Sequence, residues 1–388
     1  MQLNRKGGYG MADFEPVRVL NLFTIMNRGG AETMVMNYYR HIDRTRVQFD
    51  FLVHREERGA YEDEIESLGG RIYRMMPVRP WTAHAYRQAV RAFLAEHPEY
   101  RILHSHMSEL GLYAFQEAAR AGIPVRICHA HNAPHGIDIK SPVRWYMKTR
   151  MRPYITHRFM CGYESGLWLY GKKYAGSFVQ MNNAIDAAAF RYDAECRAQV
   201  RASLGLSPDA LTVGHVGRFN YQKNHPFLLQ AFAALVRQEP SAVLMLVGDG
   251  EDRPAAEAMA RDLHIEDSVR FLGTRADIPD LLQAMDVFAF PSHFEGLSVA
   301  SVEAQAAGLP CLISDGVPIE CKKTDLVRVL PLSDGADAWG TELLGMAREG
   351  RNSRRDRTED IRAAGFDIAG NARWLQDFYL RAAGEADD

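Results

Sequence analysis

Short apolar runs alternate with segments of helical character along most of the 388 residues, and no other feature limits the possible fold as strongly. In the first half these runs are almost continuously hydrophobic, which is typical of parallel strands covered on both faces. They occupy residues 17–23, 47–53, 70–73, 102–104, 125–128 and 158–161. The alternation predicts an α/β chain with a doubly wound parallel sheet.

The same alternation starts again after a turn-rich segment at 182–186, which we interpret as a hinge. A chain of this length can form two domains, each with a full core. Further strands are predicted at 212–216, 243–247, 269–272, 287–290 and 311–314. We therefore predict a flexible leader at 1–15, domains at 16–185 and 186–365, and a terminal helical segment at 366–388.

Composition excludes several classes of function. The net charge of −3 argues against a general nucleic-acid binder, which is usually basic. The five cysteines are scattered without a CxxC pair, which favours a reducing compartment and argues against a zinc site. The N-terminus lacks the apolar core of a signal peptide, and no apolar run has the length of a membrane span. We expect a cytoplasmic protein.

Two glutamates, Glu295 and Glu303, lie around a predicted helix start. The strand at 287–290 leads to Glu295, and a helix is predicted over 298–307, ended by a glycine and a proline. Ligands of open α/β sheets bind where the carboxyl end of a strand meets a helix N-terminus. The two glutamates should lie roughly 10–12 Å apart along the helix. This spacing fits a ligand with two polyol groups separated by phosphates, such as a nucleotide sugar.

The backbone around the first glutamate also suits a polar ligand. Free N–H groups near Gly296 and Leu297 can bind a phosphate or a sugar hydroxyl. Glu303 lies in a stretch of small and apolar residues, where a buried carboxylate needs a partner. Ribose hydroxyls would serve as that partner. The alternative, that both are ordinary acidic residues beside a helix, stays open for Glu295 taken alone.

A second cluster of candidate ligand-binding residues follows the predicted strand at 212–216. Gly217 allows a close approach of the backbone, while Arg218 and Lys223 could converge on a diphosphate. Two such cations can stabilise a departing nucleoside diphosphate without a metal. Solvated loop cations are the alternative. Gly248, at the next strand exit, fits a turn as well as a nucleotide contact.

These motifs, taken in order, resemble those of the retaining glycosyltransferases of family 4, in particular bacterial enzymes that assemble capsular polysaccharide and exopolysaccharide. The resemblance covers nearly the whole chain and is strongest over 211–315. It implies the GT-B fold, in which two Rossmann-like domains face each other across a cleft. The first domain would bind the acceptor and the second the nucleotide sugar, and the C-terminal helix would cross back to the first domain. The residues that carry it are 215–218 with Lys223, 246–250, 271–273, Glu295 and Glu303.

The resemblance also implies roles for individual residues. Arg218 and Lys223 would hold the donor diphosphate and act in catalysis, and Glu295 would contact the transferred sugar. Glu303 would bind the ribose, and Arg275 would lie near the base. Other donor contacts are expected at Gly29 and Gly30 in the glycine-rich loop after the first strand, and at Gly217, Gly248, Gly296, Leu297 and Ser298 in the second domain.

A catalytic histidine of the family follows a strand of the first domain, and here His129 and His131 are both candidates. They share one face of a regular strand, and we prefer His131 because it is closer to the loop, with His135 nearby. The chain departs from its relatives at Ser298, where many have proline or glycine. It also lacks their glycine-rich form over 315–323, which affects the expected contacts to the donor sugar.

The implied activity is transfer of a sugar from a nucleotide-diphosphate donor, a UDP-sugar ahead of a GDP-sugar, to a glycan or polyprenyl-linked acceptor in surface polysaccharide biosynthesis. Retention would follow a front-face route in which the leaving phosphate helps to deprotonate the acceptor. Because no Asp-x-Asp motif stands at the donor site, an enzyme without metal or cofactor is expected. A GT-B nucleotide-sugar epimerase and a non-catalytic transferase subunit are the alternatives. A nicotinamide dehydrogenase is disfavoured, since no G-x-G-x-x-G follows an early strand.

Two further segments carry expectations. The basic stretch at 140–158 has interleaved aromatic residues and predicts either a solvated helix face or peripheral contact with the inner face of the cell membrane. The segment at 368–380 predicts a helix capped by Asp367, with Trp374, Leu375, Phe378 and Tyr379 on or near one face. We expect this helix to pack on the first domain and to bury Trp374 and Phe378 there.

Overall fold

The computed structural model describes residues 15–131 and 141–385, and its strands form two parallel sheets with helices on both faces. The first sheet has seven strands in the order β3-β2-β1-β4-β5-β6-β7. Its elements are β1 (Val17–Phe23), α1 (Gly30–His41), β2 (Val47–Val53), α2 (Glu62–Ser67), β3 (Ile72–Arg74), α3 (Ala83–Glu96), β4 (Ile102–Ser105), α4 (Leu112–Arg120), β5 (Val125–Ala130), α5 (Ser141–Met151), β6 (His157–Met160), α6 (Tyr163–Tyr170) and β7 (Phe178–Gln180).

The second sheet has six strands in the order β10-β9-β8-β11-β12-β13. The elements of this part of the chain are α7 (Ala194–Ser203), β8 (Thr212–Val216), α8 (His225–Val236), β9 (Val243–Val247), α9 (Arg253–Asp262), β10 (Val269–Gly273), α10 (Ile278–Ala284), β11 (Val287–Phe290), α11 (Val299–Ala306), β12 (Cys311–Ile313), β13 (Val327–Val329), α12 (Gly335–Ser353) and α13 (Thr358–Ala363). The last helix, α14 (Ile368–Ala383), belongs to neither sheet.

In both sheets the strand order reverses next to the first strand of the unit. The reversal lies between β1 and β4 in the first sheet and between β8 and β11 in the second. At such a point the following loops run to opposite faces, which opens a crevice at the carboxyl ends of the strands. The residues after β8 and β11 are those that the sequence marks as donor-binding candidates.

The chain crosses between the two sheets twice, and the two crossings lie side by side. Ile185 donates its N–H to the carbonyl of Phe366, and Ile368 donates to the carbonyl of Ile185, each at 2.9 Å. After this bridge, α14 packs against β1, β2 and α1 of the first sheet. The predicted return of the C-terminal helix to the first domain is confirmed.

The side chains that α14 buries most deeply are not the two that were predicted. Trp374 is 36% exposed and Phe378 is only partly buried, whereas Tyr379 is 1% exposed. Tyr379 also places its hydroxyl 2.7 Å from Nδ1 of His104 on β4. Asp367 stands at the N-cap position, but its side chain accepts no capping hydrogen bond. The aromatic pattern identified the helix, but the deeply buried aromatic residue is Tyr379, one position after Phe378.

Most predicted strands have the observed bounds, or bounds within two residues. The prediction missed β13, an edge strand of three residues of which two are exposed, because it presents no continuous apolar run. The predicted helix over 298–307 is α11, and Ser298 is its N-cap with Oγ accepting from the N–H of Ser301. Ser298, one of the departures from the family pattern, therefore supports the helix start.

Candidate active site

The loops after β8 and β11 meet in a buried ion pair. Nζ of Lys223 lies 2.7 Å from Oε1 of Glu295, and the side chains are 16% and 6% exposed. Gln222 donates from Nε2 to the other carboxylate oxygen of Glu295 at 3.0 Å. The carbonyl of Gln222 accepts the N–H of His293 at 2.9 Å, which joins the two loops through their backbones. The carboxylate of Glu295 is thus held in one orientation at the reversal point of the second sheet.

Local backbone structure brings Lys223 to this position. Oδ1 of Asn220 accepts the N–H of Lys223 at 3.2 Å and caps a short turn. Asn224 takes a left-handed conformation with φ 56°, which asparagine tolerates better than most residues. The chain then enters α8 while the ammonium of Lys223 lies over the ring of Phe290, 4.5 Å from its centroid. A lysine in this setting is fixed rather than solvated.

Two glycines allow the neighbouring loops to approach each other. A Cβ on Gly217 would lie 2.8 Å from Nε2 of His215 and 3.2 Å from the side chain of Lys223. Gly248 has φ +137°, and a Cβ there would lie 2.0 Å from the carbonyl oxygen of Gly217. Both positions therefore need glycine for packing of the protein itself.

The other two candidate cations lie in exposed ion pairs. Arg218 pairs with Glu251 at 3.0 Å, and both side chains are mostly exposed. Arg275 forms two hydrogen bonds to Asp277, two residues along the chain, at 2.7 and 2.5 Å. Exposed pairs of this kind contribute little to stability and break easily. Both guanidinium groups can therefore reorient toward an anionic ligand at low cost.

Glu303 stands in the second turn of α11 and differs sharply from Glu295. Burial raises the pKa of its carboxyl to about 7, although part of the residue still reaches solvent. Within the residues that the structure describes, its carboxylate has no hydrogen bond or ion pair. Among the described residues, nothing donates to this desolvated carboxylate, which a hydrogen-bond donor would stabilise in its ionised form.

The segment between these two glutamates makes hydrogen-bond contacts with residues that the sequence analysis did not assign to the site. The N–H of Ser298 lies 3.3 Å from Sγ of Cys321, which in turn lies 3.7 Å from the carbonyl of Gly296. The carbonyl of Leu297 accepts from Asn183 of the hinge at 3.5 Å. The N–H of Ser298 is thus engaged within the protein, and the exposed Gly296 stays at the surface of the crevice.

The segment at 315–323, which lacks the glycine-rich form of the relatives, is tied to α11 by one side chain. Oε1 of Gln305 accepts the N–H groups of Lys323 and Thr324 at 2.8 and 3.0 Å. Its Nε2 donates to the carbonyl of Cys321 at 2.8 Å. A glutamine inside an apolar helix is a signal that could have identified this anchor from the sequence.

On the first sheet, the glycine-rich loop leads into α1 with Gly29 at the N-cap. A Cβ on Gly29 would lie 2.3 Å from a carboxylate oxygen of Glu32, so the absence of a side chain lets that carboxylate fold back over the first turn. A Cβ on Gly30 would meet open space. Burial raises the pKa of Glu32.

His129 and His131 share one face of β5 and its exit, as the period of a strand requires, with ring centroids 4.3 Å apart. His129 is fully buried, and His131 is partly exposed beyond the strand end. Nε2 of His131 lies 2.9 Å from Nδ1 of His106, and its Nδ1 lies 3.3 Å from Sγ of Cys161. Both ring nitrogens of His131 thus have partners inside the protein. His135 lies outside the described residues.

Burial lowers the pKa of His131 to about 4, so the ring is neutral at pH 7. The pKa values of His104, His106 and His129 also fall well below the usual range, because these rings are buried and lie close to other histidines. These four imidazole rings are therefore neutral at pH 7.

The basic stretch does not form one continuous helix. Helix α5 ends at Met151, a short turn follows, and β6 begins at His157. Lys148 donates to the carbonyl of Trp168 at 2.9 Å and lies over its ring, and Arg144 lies 3.5 Å from Glu109. The exposed apolar side chains of α5 are Val143, Trp145 and Tyr146, at 53%, 67% and 53%. Lys140 lies outside the described residues.

Over 15–131 and 141–385, none of the helices combines the length and the hydrophobicity that crossing a bilayer requires.

Comparison with known families places two models on the chain. The model described as "Glycosyl transferase 4-like domain" matches residues 29–160, which span most of the first sheet. The model described as "Glycosyl transferases group 1" matches residues 197–322, which include the loops after β8 and β11. Together they cover both reversal points.

Two curated relatives and one solved structure illustrate the similarity. The putative glycosyltransferase EpsF of Bacillus subtilis is 36% identical over 377 residues, or 93% of this chain and 96% of the relative. The Escherichia coli UDP-Gal:alpha-D-GlcNAc-diphosphoundecaprenol alpha-1,3-galactosyltransferase is 29% identical over 57% of this chain and 59% of its own length. Anabaena Alr3699/HepE in complex with UDP superimposes with a TM-score of 0.77 at 18% identity, covering 94% of this chain and 100% of HepE.

Proposed function

Because the chain belongs to the family 4 glycosyltransferases of the GT-B fold, we propose that it moves a hexosyl group from a UDP-sugar to a glycan or polyprenyl-linked acceptor with retention of configuration. The proposed setting is exopolysaccharide or capsule assembly. The observation that carries the donor assignment is the reversal point of the second sheet, where the Lys223–Glu295 pair and the unpartnered Glu303 flank the start of α11.

The residues of this region can be assigned to the parts of a nucleotide sugar. Ribose hydroxyls would donate to the carboxylate of Glu303, which has no donor among residues 15–131 and 141–385. Arg218 would leave its exposed pair with Glu251 and, with Lys223, neutralise the diphosphate. Glu295 would accept from hydroxyls of the transferred sugar while Lys223 and Gln222 hold its carboxylate. Gly217, Gly248 and Gly296 would border the phosphates and the sugar, and Arg275 would lie by the base.

The proposed chemistry places no protein base at the acceptor. Because Glu295 is tied to Lys223 and Gln222, it is poorly placed to remove a proton. The leaving phosphate oxygen would instead take the acceptor proton on the same face of the sugar, as retention requires. Lys223 and Arg218 would stabilise the charge that grows on that diphosphate, so no metal is invoked there.

The first domain would supply the acceptor side. Gly29 and Gly30 would approach the donor from across the cleft, and His131 would contact the transferred sugar as a neutral imidazole after turning from one of its internal partners. We propose domain bounds of 16–185 and 186–365, with 366–388 returning to the first domain, since the paired crossings at Ile185 and Phe366 separate the two sheets.

Three observations support the choice of donor and acceptor. UDP and UDP-glucose are bound in the HepE structures, which favours UDP over GDP. The E. coli relative acts on a sugar linked to diphosphoundecaprenol, which favours a polyprenyl-linked acceptor. Finally, Val143, Trp145 and Tyr146 are exposed on the basic helix α5, a composition suited to the interface of an anionic membrane. Through 140–158 the protein would touch such a membrane from one side.

Thermal unfolding with added nucleotides tests the donor assignment directly. UDP should raise the Tm more than GDP at equal concentration, in the presence of EDTA as well as in its absence. Glu303→Gln should lose most of this shift, while Glu257→Gln, on exposed α9, should keep it. If no nucleoside diphosphate stabilises the protein, the proposed donor site is wrong.

A further inference from the structure

The carboxyl edge of the first sheet carries a row of histidines on one face. His104 lies on β4 and His129 on β5, and His106 and His131 follow those strands. The register pairs His129 with Phe159 on β6 and Ala130 with Met160, and Cys161 is the next residue along. Strand periodicity then directs His129, His131 and Cys161 to the same side of the sheet.

The ligand-type atoms of three of these residues converge. Sγ of Cys161 lies 3.3 Å from Nε2 of His129 and 3.3 Å from Nδ1 of His131, and the three atoms lie within 4.8 Å of one another. Zinc bonds of 2.0–2.1 Å to nitrogen and 2.3 Å to sulfur place tetrahedral N and S ligands about 3.5 Å apart. The side chains are therefore already close to the spacing that one bound ion requires.

We propose that His129 Nε2, His131 Nδ1 and Cys161 Sγ form a binding site for one thiophilic transition-metal ion, with Zn²⁺ as the reference ion. Two imidazoles and a thiolate are the ligand types that zinc prefers. On binding, the Cys161 thiol gives up its proton to solvent and a sulfur–metal bond forms, so one proton is released per ion.

The surroundings support one of the two imidazole ligands, His131, whereas Nδ1 of His129 is buried without a hydrogen-bond partner among the described residues. With Nδ1 of His131 on the metal, its Nε2–H can donate to Nδ1 of His106 at 2.9 Å, which fixes the ring orientation. His106 has a second hydrogen bond, between its Nε2 and Oδ1 of Asn21, at 3.4 Å. His129 and Cys161 are buried, and the partly exposed His131 leaves an entry path from the crevice.

The cysteine ligand lies far from the two histidines in the sequence. For that reason the scattered cysteines were interpreted as evidence against a zinc site. His131 and Cys161 are thirty positions apart and meet only because β5 and β6 pair in parallel. The site is separate from the phosphate-binding residues of the second sheet, and the inference does not depend on the transferase assignment. A bound ion would hold the ring of His131 against β6, so His131 could make the sugar contact proposed above only in the metal-free protein.

Metal titration of the full-length, tag-free protein tests the site. After dialysis against a chelator, the protein should bind one equivalent of Zn²⁺, and Co²⁺ in its place should give the near-ultraviolet thiolate-to-cobalt absorption of a cysteine ligand. Cys161→Ser and His129→Gln should each lose that absorption and bind Zn²⁺ at least a hundredfold more weakly. His106→Ala should weaken binding about ten- to a hundredfold, because it removes the outer support.

Cys128→Ser is the matched control, since Cys128 is buried on the same strand and belongs to a different core cluster. It should bind metal as the unaltered protein does. Circular dichroism of each variant identifies any that fail to fold. The cobalt spectrum of the unaltered protein tests for a cysteine ligand without any variant. Absence of a thiolate band, or equal Zn²⁺ affinity in Cys161→Ser, would overturn the proposal.

Discussion

The two sheets end in crevices of the same topology but opposite electrostatic character. At the second sheet, Lys223 and Glu295 form an ion pair that is largely withdrawn from water. At the first sheet, His104, His106 and His129 are neutral, because burial without an acidic partner lowers their pKa values. A buried charge persists only where an opposite charge accompanies it. The comparison teaches that the second edge suits a charged donor and the first a neutral partner or a metal.

Glu303 is the exception within the second sheet, and for this reason we propose it as a ligand contact. It is desolvated like the histidines, and the structure gives it neither an ion pair nor a hydrogen bond among the described residues. Its pKa consequently rises to about 7. The other glutamate of the pair, Glu295, already has Lys223 and Gln222. Only one of the two glutamates therefore needs an external donor.

Removal of α14 should have the largest effect on the difference between the two sheets, because this helix packs on the first sheet beside the neutral histidines. Deleting residues 366–388 removes Ile368, Leu375, Tyr379 and Leu380 from the core of the first domain. Each of these side chains contributes about 1.5–3 kcal/mol through burial. Limited proteolysis should therefore cut within the first domain sooner than within the second. Deleting only 385–388 should leave the cleavage pattern unchanged, and an intact first domain after the longer deletion would refute this account.

Glu295→Gln tests the charged edge. The amide oxygen can still accept from Lys223, but an NH2 group replaces the oxygen that accepts from Gln222, and the negative charge facing the transferred sugar is lost. Turnover should fall about 10²–10³-fold, the size seen when one preorganised group is removed from a transition state. UDP affinity, measured by calorimetry, should change less than threefold.

Lys223→Ala provides the contrast for that prediction. It should weaken both turnover and UDP binding, and it should lower the free energy of unfolding by about 3–5 kcal/mol, because it leaves the carboxylate of Glu295 largely buried without an opposite charge. Equal losses of turnover and UDP affinity in Glu295→Gln would mean that Glu295 holds the nucleotide instead of the sugar.

The smallest predicted effect concerns pH. The pKa of Glu303 is raised, so its carboxyl is protonated below about pH 7 and ionised above. Ribose hydroxyls donate to the ionised form, so UDP affinity should be at its full value above pH 7. It should fall by up to about tenfold per pH unit below that. Glu303→Gln should bind UDP weakly and keep only the pH dependence that the terminal phosphate of UDP contributes through its own pKa of about 6. The same profile in the unaltered protein and the variant would remove Glu303 from the donor site.

Much of the fold was predictable, because strand formation leaves a local signal. The runs at 17–23, 47–53 and 243–247 were predicted with their observed bounds, since strands buried on both faces are largely apolar. The edge strand β13 was missed because exposure removes that signal. Asp367 and Trp374 show a second limit, since the cap and the buried face of a helix depend on what it packs against.

The residues of the candidate site also divide into those with a local signal in the sequence and those without one. Glu295, Glu303 and Lys223 were identified because motifs around strand ends are local, and the α/β alternation determined that those ends would share one edge. Gln222, Cys321 and Asn183 were missed because their roles arise from contacts across loops.

The sequence by itself determined the two parallel sheets, the family and the residues at the strand ends, because hydrophobic periodicity and short motifs act over neighbouring positions. Only the tertiary structure decided which glutamate lacks a partner, where Arg218 points, and that His129, His131 and Cys161 converge. The physical reason is that charge state and ligand geometry depend on desolvation and on distances between strands far apart in the chain. No local pattern encodes those distances.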